Sequence, residues 1–123
     1  MKYLILIHSN PASRATWESF SEAQRAEGWR AYAELTEDLA ASGELIVSEA
    51  LADPSLGKRV VPRDGQVVTS DGPYAEVKEH LAGFFLVECE SFERAAEVAA
   101  RVPEAPYGLV EVRPVLDLGG MEM

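Results

Sequence analysis

Apolar positions along this chain follow two spacings, and each change of spacing marks a new element. Tyr3 to Ile7 is a short continuous apolar run, partly β-branched, ended by Ser9-Asn10-Pro11. That pattern predicts a buried central strand. From about Ser13 to Ser42 the pattern is helical, and Ser21 and Gln24 stand at capping-box spacing, which predicts a short helix followed by a longer one. Trp29, Tyr32, Thr36 and Leu39 share one stripe with Leu35 beside it, while Glu27, Arg30, Glu34, Glu37 and Asp38 lie mainly elsewhere. Gly43 then suits a C-terminal cap. Leu45 to Ala50 reads as a second strand. Lys58 to Pro62 and Gln66 to Ser70 flank Asp64-Gly65, a strong hairpin signal. Gly83 to Glu88 is a further strand. Ser91 is a candidate N-cap, with Glu93 in the first turn of a helix running to about Arg101 and turning Phe92, Ala95, Ala96, Ala99 and Val102 toward the sheet. Pro103 and Pro106 prevent its continuation. Tyr107 to Val115 is the last strand.

Without the hairpin the order is β-α-β-β-α-β, the split pattern of an α+β, ferredoxin-like sandwich with both helices on one face of the sheet. Residues 1–116 form one domain, followed by a frayed tail at 117–123. Val110 and Val112 face the helix-covered core by alternation, whereas Leu109, Glu111, Arg113 and Val115 face the other way. That half-apolar, half-charged face suits neither water nor a dry core. Two copies stacking these faces, in a dimeric α/β barrel-type association, would bury the apolar half and leave a polar pocket.

Composition narrows the function classes. The chain has 123 residues, 47% of them hydrophobic, and a formal net charge of −10. Such a field repels a polyanion, so direct nucleic-acid binding is not expected. The N-terminal apolar run is too short for a signal sequence, and no run approaches a membrane span, so the expected location is cytoplasmic. Cys89 is the only cysteine, which excludes an intramolecular disulfide and fits a buried structural thiol. The two histidines, His8 and His80, show no metal-ligand spacing, and neither a metal nor a cofactor is expected. Ser9 and Ser70 lack a nucleophile-elbow setting. Trp17, Trp29 and Tyr32 read as core side chains rather than a ligand platform.

The densest chemistry lies in Asp71-Gly72-Pro73-Tyr74-Ala75-Glu76-Val77-Lys78-Glu79, a tight turn running into charges of both signs. A connector does not need those charges, so the segment reads as a shaped polar loop at the mouth of the sheet. Asp71 and Glu76 are candidate general bases, provided that burial or crowding raises a carboxyl pKa. Tyr74, Lys78, Glu111 and Arg113 are candidates for binding substrate, with Lys78 and Arg113 as an anion clamp. The structural alternatives are an Asx-turn at Asp71 and an ion pair between Glu111 and Arg113. Taking the third core strand as parallel to the first, the Asp71–His80 loop and Arg113 would meet at one end of the sheet. Glu111 would then lie further in and His8 at the opposite end.

The same run closely resembles the signature of the DGPF (DGPFAETKE) family within the YCII-related superfamily. Supporting matches are Met1 to Ile7, Gly43-Glu44-Leu45, Gly83-Phe84-Phe85-Leu86 and Val110 to Val115. Tyr74 stands where that family usually has Phe, and Val77 where it usually has Thr. The resemblance implies a ferredoxin-like fold, a homodimer that pairs sheet faces, and an active site near the sheet-face cleft. In the wider superfamily a His–Asp pair has been suggested as catalytic; Asp71 is the acidic candidate here, with no histidine in a matching motif. The resemblance also implies a link to extracytoplasmic-function sigma factors. Two readings follow. One is a cofactor-free acid–base protein taking a small polar or anionic molecule in the dimer cleft. The other is a non-catalytic regulatory or accessory protein.

Overall fold

The computed structural model describes residues 1–73 and 77–118. Strand β1 (Lys2–Ser9) ends at Asn10, whose side chain accepts from Ser13 N–H while Ser13 Oγ accepts from Asn10 N–H. This reciprocal cap, with Pro11 at the first helical position, starts α1 (Pro11–Ser19). Ser21 and Gln24 form the second cap and open α2 (Glu22–Ser42), as their spacing predicts. Gly43 ends α2 with φ of 80°, a left-handed turn that glycine adopts without a Cβ clash. Then come β2 (Leu45–Ala50), a single 3-10 turn (Pro54–Leu56), β3 (Lys58–Arg63) and β4 (Gln66–Asp71). Asp64 and Gly65 both take positive φ, 49° and 77°, as a two-residue hairpin turn requires. Strand β5 (His80–Glu88) leads to Ser91, which caps α3 (Phe92–Ala100). A 3-10 turn at Ala105–Tyr107 precedes β6 (Val110–Pro114), so the last strand starts three residues later than its pattern suggests.

The main sheet has the order β2-β5-β1-β6, and every neighbouring pair is antiparallel. This is a ferredoxin-like α+β arrangement. Strands β3 and β4 form a separate two-stranded ribbon, exposed along nearly its whole length. Strand β5 therefore runs antiparallel to β1, which overturns the parallel placement expected from sequence. The split β-α-β unit makes β1 and β2 parallel and slots β5 between them, so β5 has to run the other way. A bulge interrupts the β1–β5 ladder: Ile7 faces Gly83 but His8 faces Leu81. The skipped residue, Ala82, turns its carbonyl to the Leu51 N–H at 2.8 Å.

The core lies between the sheet and the helices. Tyr3, Ile5, Ile7, Phe85 and Val87 meet Leu35, Leu39, Ala95, Val98, Ala99 and Val102. On α3, Val98 is buried whereas Ala96 is exposed, a one-step rotation from the face expected. Val110 and Val112 pack on the core, as alternation predicts, and Cys89 is buried. Only the second half of α2 reaches the core, and α1 has no buried residue. Trp29 is accordingly 59% exposed and Trp17 half-buried, so these two rings are not core side chains, whereas Tyr32 is half-buried and packs against the core as expected. Near the starts of β1 and β2, Glu44 accepts two bonds from the Arg94 guanidinium, at 2.8 and 3.0 Å. Its carboxyl is held at about 2, against an ordinary 4.5, by Arg94 first and the Ser42 hydroxyl second.

Candidate functional site

The ladders fix which polar residues meet. Leu4 pairs with both Arg113 and Leu86, whereas Ser9 pairs with His80. Leu86 and His80 are six residues apart on β5, about 20 Å along a strand. Within one chain Arg113 and His80, where the loop enters β5, thus sit toward opposite ends of the sheet rather than meeting at one end. His8 lies instead at the end where β5 begins, opposite Leu81. The expectation failed because alternation specifies faces and says nothing of strand direction.

A different cluster forms on the helix-free face. His8 is fixed by its own N–H, which donates to the Leu109 carbonyl at 2.8 Å. Its Nε2 lies 3.5 Å from Glu111 Oε1, and Arg113 Nη2 donates to Glu111 Oε2 at 2.8 Å. Glu111 and Arg113 are two residues apart on β6, so strand alternation puts them side by side on one face. The Arg113 bonds hold the Glu111 carboxyl below its ordinary value, with a smaller contribution from His8. Leu4, Leu6, Phe84 and Leu86 surround the cluster on the same face, opposite to the core residues beside them. The arrangement presents an imidazole backed by a carboxylate and a guanidinium, enough to hold an anion and to move a proton.

At the Asp71-Gly72-Pro73 turn the contacts run to the neighbouring ribbon. Asp71 is exposed, and its carboxylate accepts from Lys58 Nζ at 2.8 Å across the β3–β4 ribbon. Gly72 has φ of 72° and donates to the Gly57 carbonyl at 2.9 Å, which sets the bend into Pro73. A hollow of about 400 Å³ beside the bend is lined by Asp53, Pro54, Lys58, Gly72, Pro73 and His80 among others. Asp53 caps the neighbouring 3-10 turn, and the bonds from Ser55 lower its pKa. Lys78 is exposed. Tyr74 and Glu76 lie outside the described residues.

A larger cleft, of about 1300 Å³, opens between the α1–α2 hairpin and the end of the sheet. Tyr32 stacks on Phe85, with ring centroids 6.4 Å apart, and its hydroxyl donates to Glu104 Oε1. Burial first, and then the Glu104 carboxylate, raise the Tyr32 pKa and keep the phenol protonated. At the cleft floor, a Cβ on Gly83 would lie 2.9 Å from the Glu49 carbonyl oxygen, so β2 can approach this closely only because residue 83 is glycine. Among the described residues no three His, Cys, Asp or Glu side chains gather as they would around a metal ion. None of their helices is long and apolar enough to cross a membrane.

An uncharacterized protein of Rhizobium meliloti (strain 1021) is 42% identical over 53 residues, 42% of this chain and 43% of that protein. The match thus spans less than half of the relative's length. The YCII-related domain matches residues 1–119, nearly the whole sequence and every element of the fold. On that coverage, the chain belongs to the YCII-related domain family.

Proposed function

We propose that this protein binds a small polar or anionic molecule on its open sheet face, and that a second copy of the chain covers the site. The observation that carries this reading is the His8–Glu111–Arg113 cluster set among Leu4, Leu6, Phe84 and Leu86. An apolar face favours burial against another surface, while three linked polar groups favour a polar guest. His8 with Glu111 behind it supplies a proton-transfer pair, so a cofactor-free acid–base reaction is the chemistry this site best supports. In this reading the histidine–carboxylate pair is His8–Glu111, with Asp71 holding the ribbon rather than acting as base. The Asp71–Glu79 run makes the DGPF group the branch of the family that fits, and a cytoplasmic location accords with the acidic composition.

The test has two parts. Sedimentation equilibrium at micromolar concentration is expected to give a dimer; a monomer removes the cover from the site. A thermal-shift panel of small carboxylic and hydroxy acids is expected to yield a compound that stabilises the wild type but neither His8→Gln nor Arg113→Ala. Equal stabilisation of all three forms takes these residues out of the site.

A second reading rests on the β3–β4 ribbon, which exposes Val60, Val61, Val67 and Val68. Such an arm suits contact with another protein, as an accessory role in a sigma-factor pathway would need. Replacing Val60 and Val67 by Thr is expected to leave ligand stabilisation intact while weakening any such contact in a sigma-factor pull-down.

A further inference from the structure

We propose that the cleft between the α1–α2 hairpin and the sheet is a second binding site, which takes a small organic cation with a flat apolar body. This inference rests on the aromatic wall of the cleft and not on Glu111 or Arg113, although the rim of the cleft reaches His8 and Phe84 of the open-face site.

The walls carry the argument. Trp17, Phe20, Trp29, Tyr32 and Phe85 all line the cleft. Trp17 meets Trp29 edge-on at 5.4 Å, and Trp29 leads on to Tyr32 at 6.3 Å and then to Phe85, so the rings form one continuous wall. Aromatic side chains placed to build a core would be covered, yet Trp29 is 59% exposed and the space in front of it is open. Ring faces are electron-rich and attract cations. The wall already shows this preference: the Arg25 guanidinium lies over the Trp17 ring, 5.7 Å from its centroid.

Charge selects the same guest. Five carboxylates line the cleft, those of Glu18, Glu27, Glu49, Asp53 and Glu104, against the guanidiniums of Arg14 and Arg101 and that of Arg25 over the Trp17 ring. Arg101 is turned to Asp38 at 2.6 Å, and Arg14 donates to Ser9 Oγ at 3.2 Å. Glu104 is set beside the aromatic wall by the Tyr32 hydroxyl, where its charge faces a partly desolvated space. A neutral aromatic compound would gain the rings but not the carboxylates, and an aromatic anion would be repelled. Only a cation with an apolar body uses both.

The probes are benzyltrimethylammonium, benzyl alcohol and phenylacetate, followed by protein NMR shift changes on the full chain. The expected result is saturable binding of benzyltrimethylammonium with shifts confined to α1, α2 and the start of β5, at least about tenfold tighter than the alcohol or the acid. Affinity for the cation is expected to fall as salt is raised. Trp29→Ala removes an exposed ring and is expected to weaken cation binding about tenfold without unfolding the protein. Glu104→Gln keeps an acceptor for the Tyr32 hydroxyl but removes the charge, and is expected to weaken the cation severalfold while leaving benzyl alcohol unchanged. Equal affinity for cation and anion overturns the proposal. So does undiminished binding in Trp29→Ala, or no saturable shift with the cation at millimolar concentration.

Discussion

The two ends of the sheet are built on opposite plans. At the end where β1 and β2 begin, α2 and α3 close on the sheet. Leu35, Leu39, Val87 and Val98 are fully buried there, and the Glu44–Arg94 pair joins the start of β2 to α3. At the end where β1 and β2 finish, α1 and the first half of α2 bury nothing fully, the aromatic rings stay partly wet, and a wide cleft remains. The contrast separates stability from recognition: one end satisfies its apolar surface within the chain, and the other leaves apolar and polar groups facing a space.

The sharpest way to break this contrast is to cut one large side chain from each end. Leu35→Ala empties a fully buried position and is expected to cost about 3 kcal/mol, whereas Trp29→Ala removes a larger but mostly exposed ring for less than about 1 kcal/mol. Urea unfolding of both variants measures the difference, and equal losses would erase the distinction. Gly83→Ala tests the cleft floor. The new methyl would press on the Glu49 carbonyl, so a loss of about 2 kcal/mol in the melt is expected, with faster amide exchange in β2. A mild, unshifted melt would mean that β2 can give way.

The smallest effect concerns the closed end alone. The Glu44 carboxyl is lowered in the folded protein, so the Arg94 pair contributes fully above about pH 4.5 and its contribution is lost as pH falls toward about 2. Because Glu44 still touches solvent, the gain is expected to be about 1–2 kcal/mol rather than the full value of the shift. Glu44→Gln should flatten stability across that acid range. An unchanged acid limb would place the pH sensitivity elsewhere.

How far the sequence could be read depended on whether the information was local. Caps and turns are local: Ser21 with Gln24, Gly43, Ser91 and Asp64-Gly65 all do what their types and spacing imply. The facing of Glu111 and Arg113 was legible for the same reason, as was the chance that they pair. Strand direction is a property of the whole sheet, so the start of β5 was assigned to the end that holds Arg113 rather than the end that holds His8, and the meeting of His8 with Glu111 was missed. The rings of Trp17 and Trp29 misled differently. Helical spacing marks a stripe but not what the stripe faces. The available clue was length: α2, with 21 residues, runs about 31 Å, while β2, with 6 residues, covers about 20 Å. A helix that outruns the strand it feeds by that much extends past β2 and leaves part of its stripe to other neighbours.

Ala82 acts as a phase marker between the signature segment and the rest of β5. Because β5 carries one more residue than β1 at this point, every side chain before it is offset by one position from a regular ladder. Losing a residue between His80 and Gly83 would exchange inward and outward positions upstream, a frameshift of faces rather than of codons. The tip of the β3–β4 ribbon imposes no such phase. A change of length is therefore expected to be tolerated at the tip and not between His80 and Gly83.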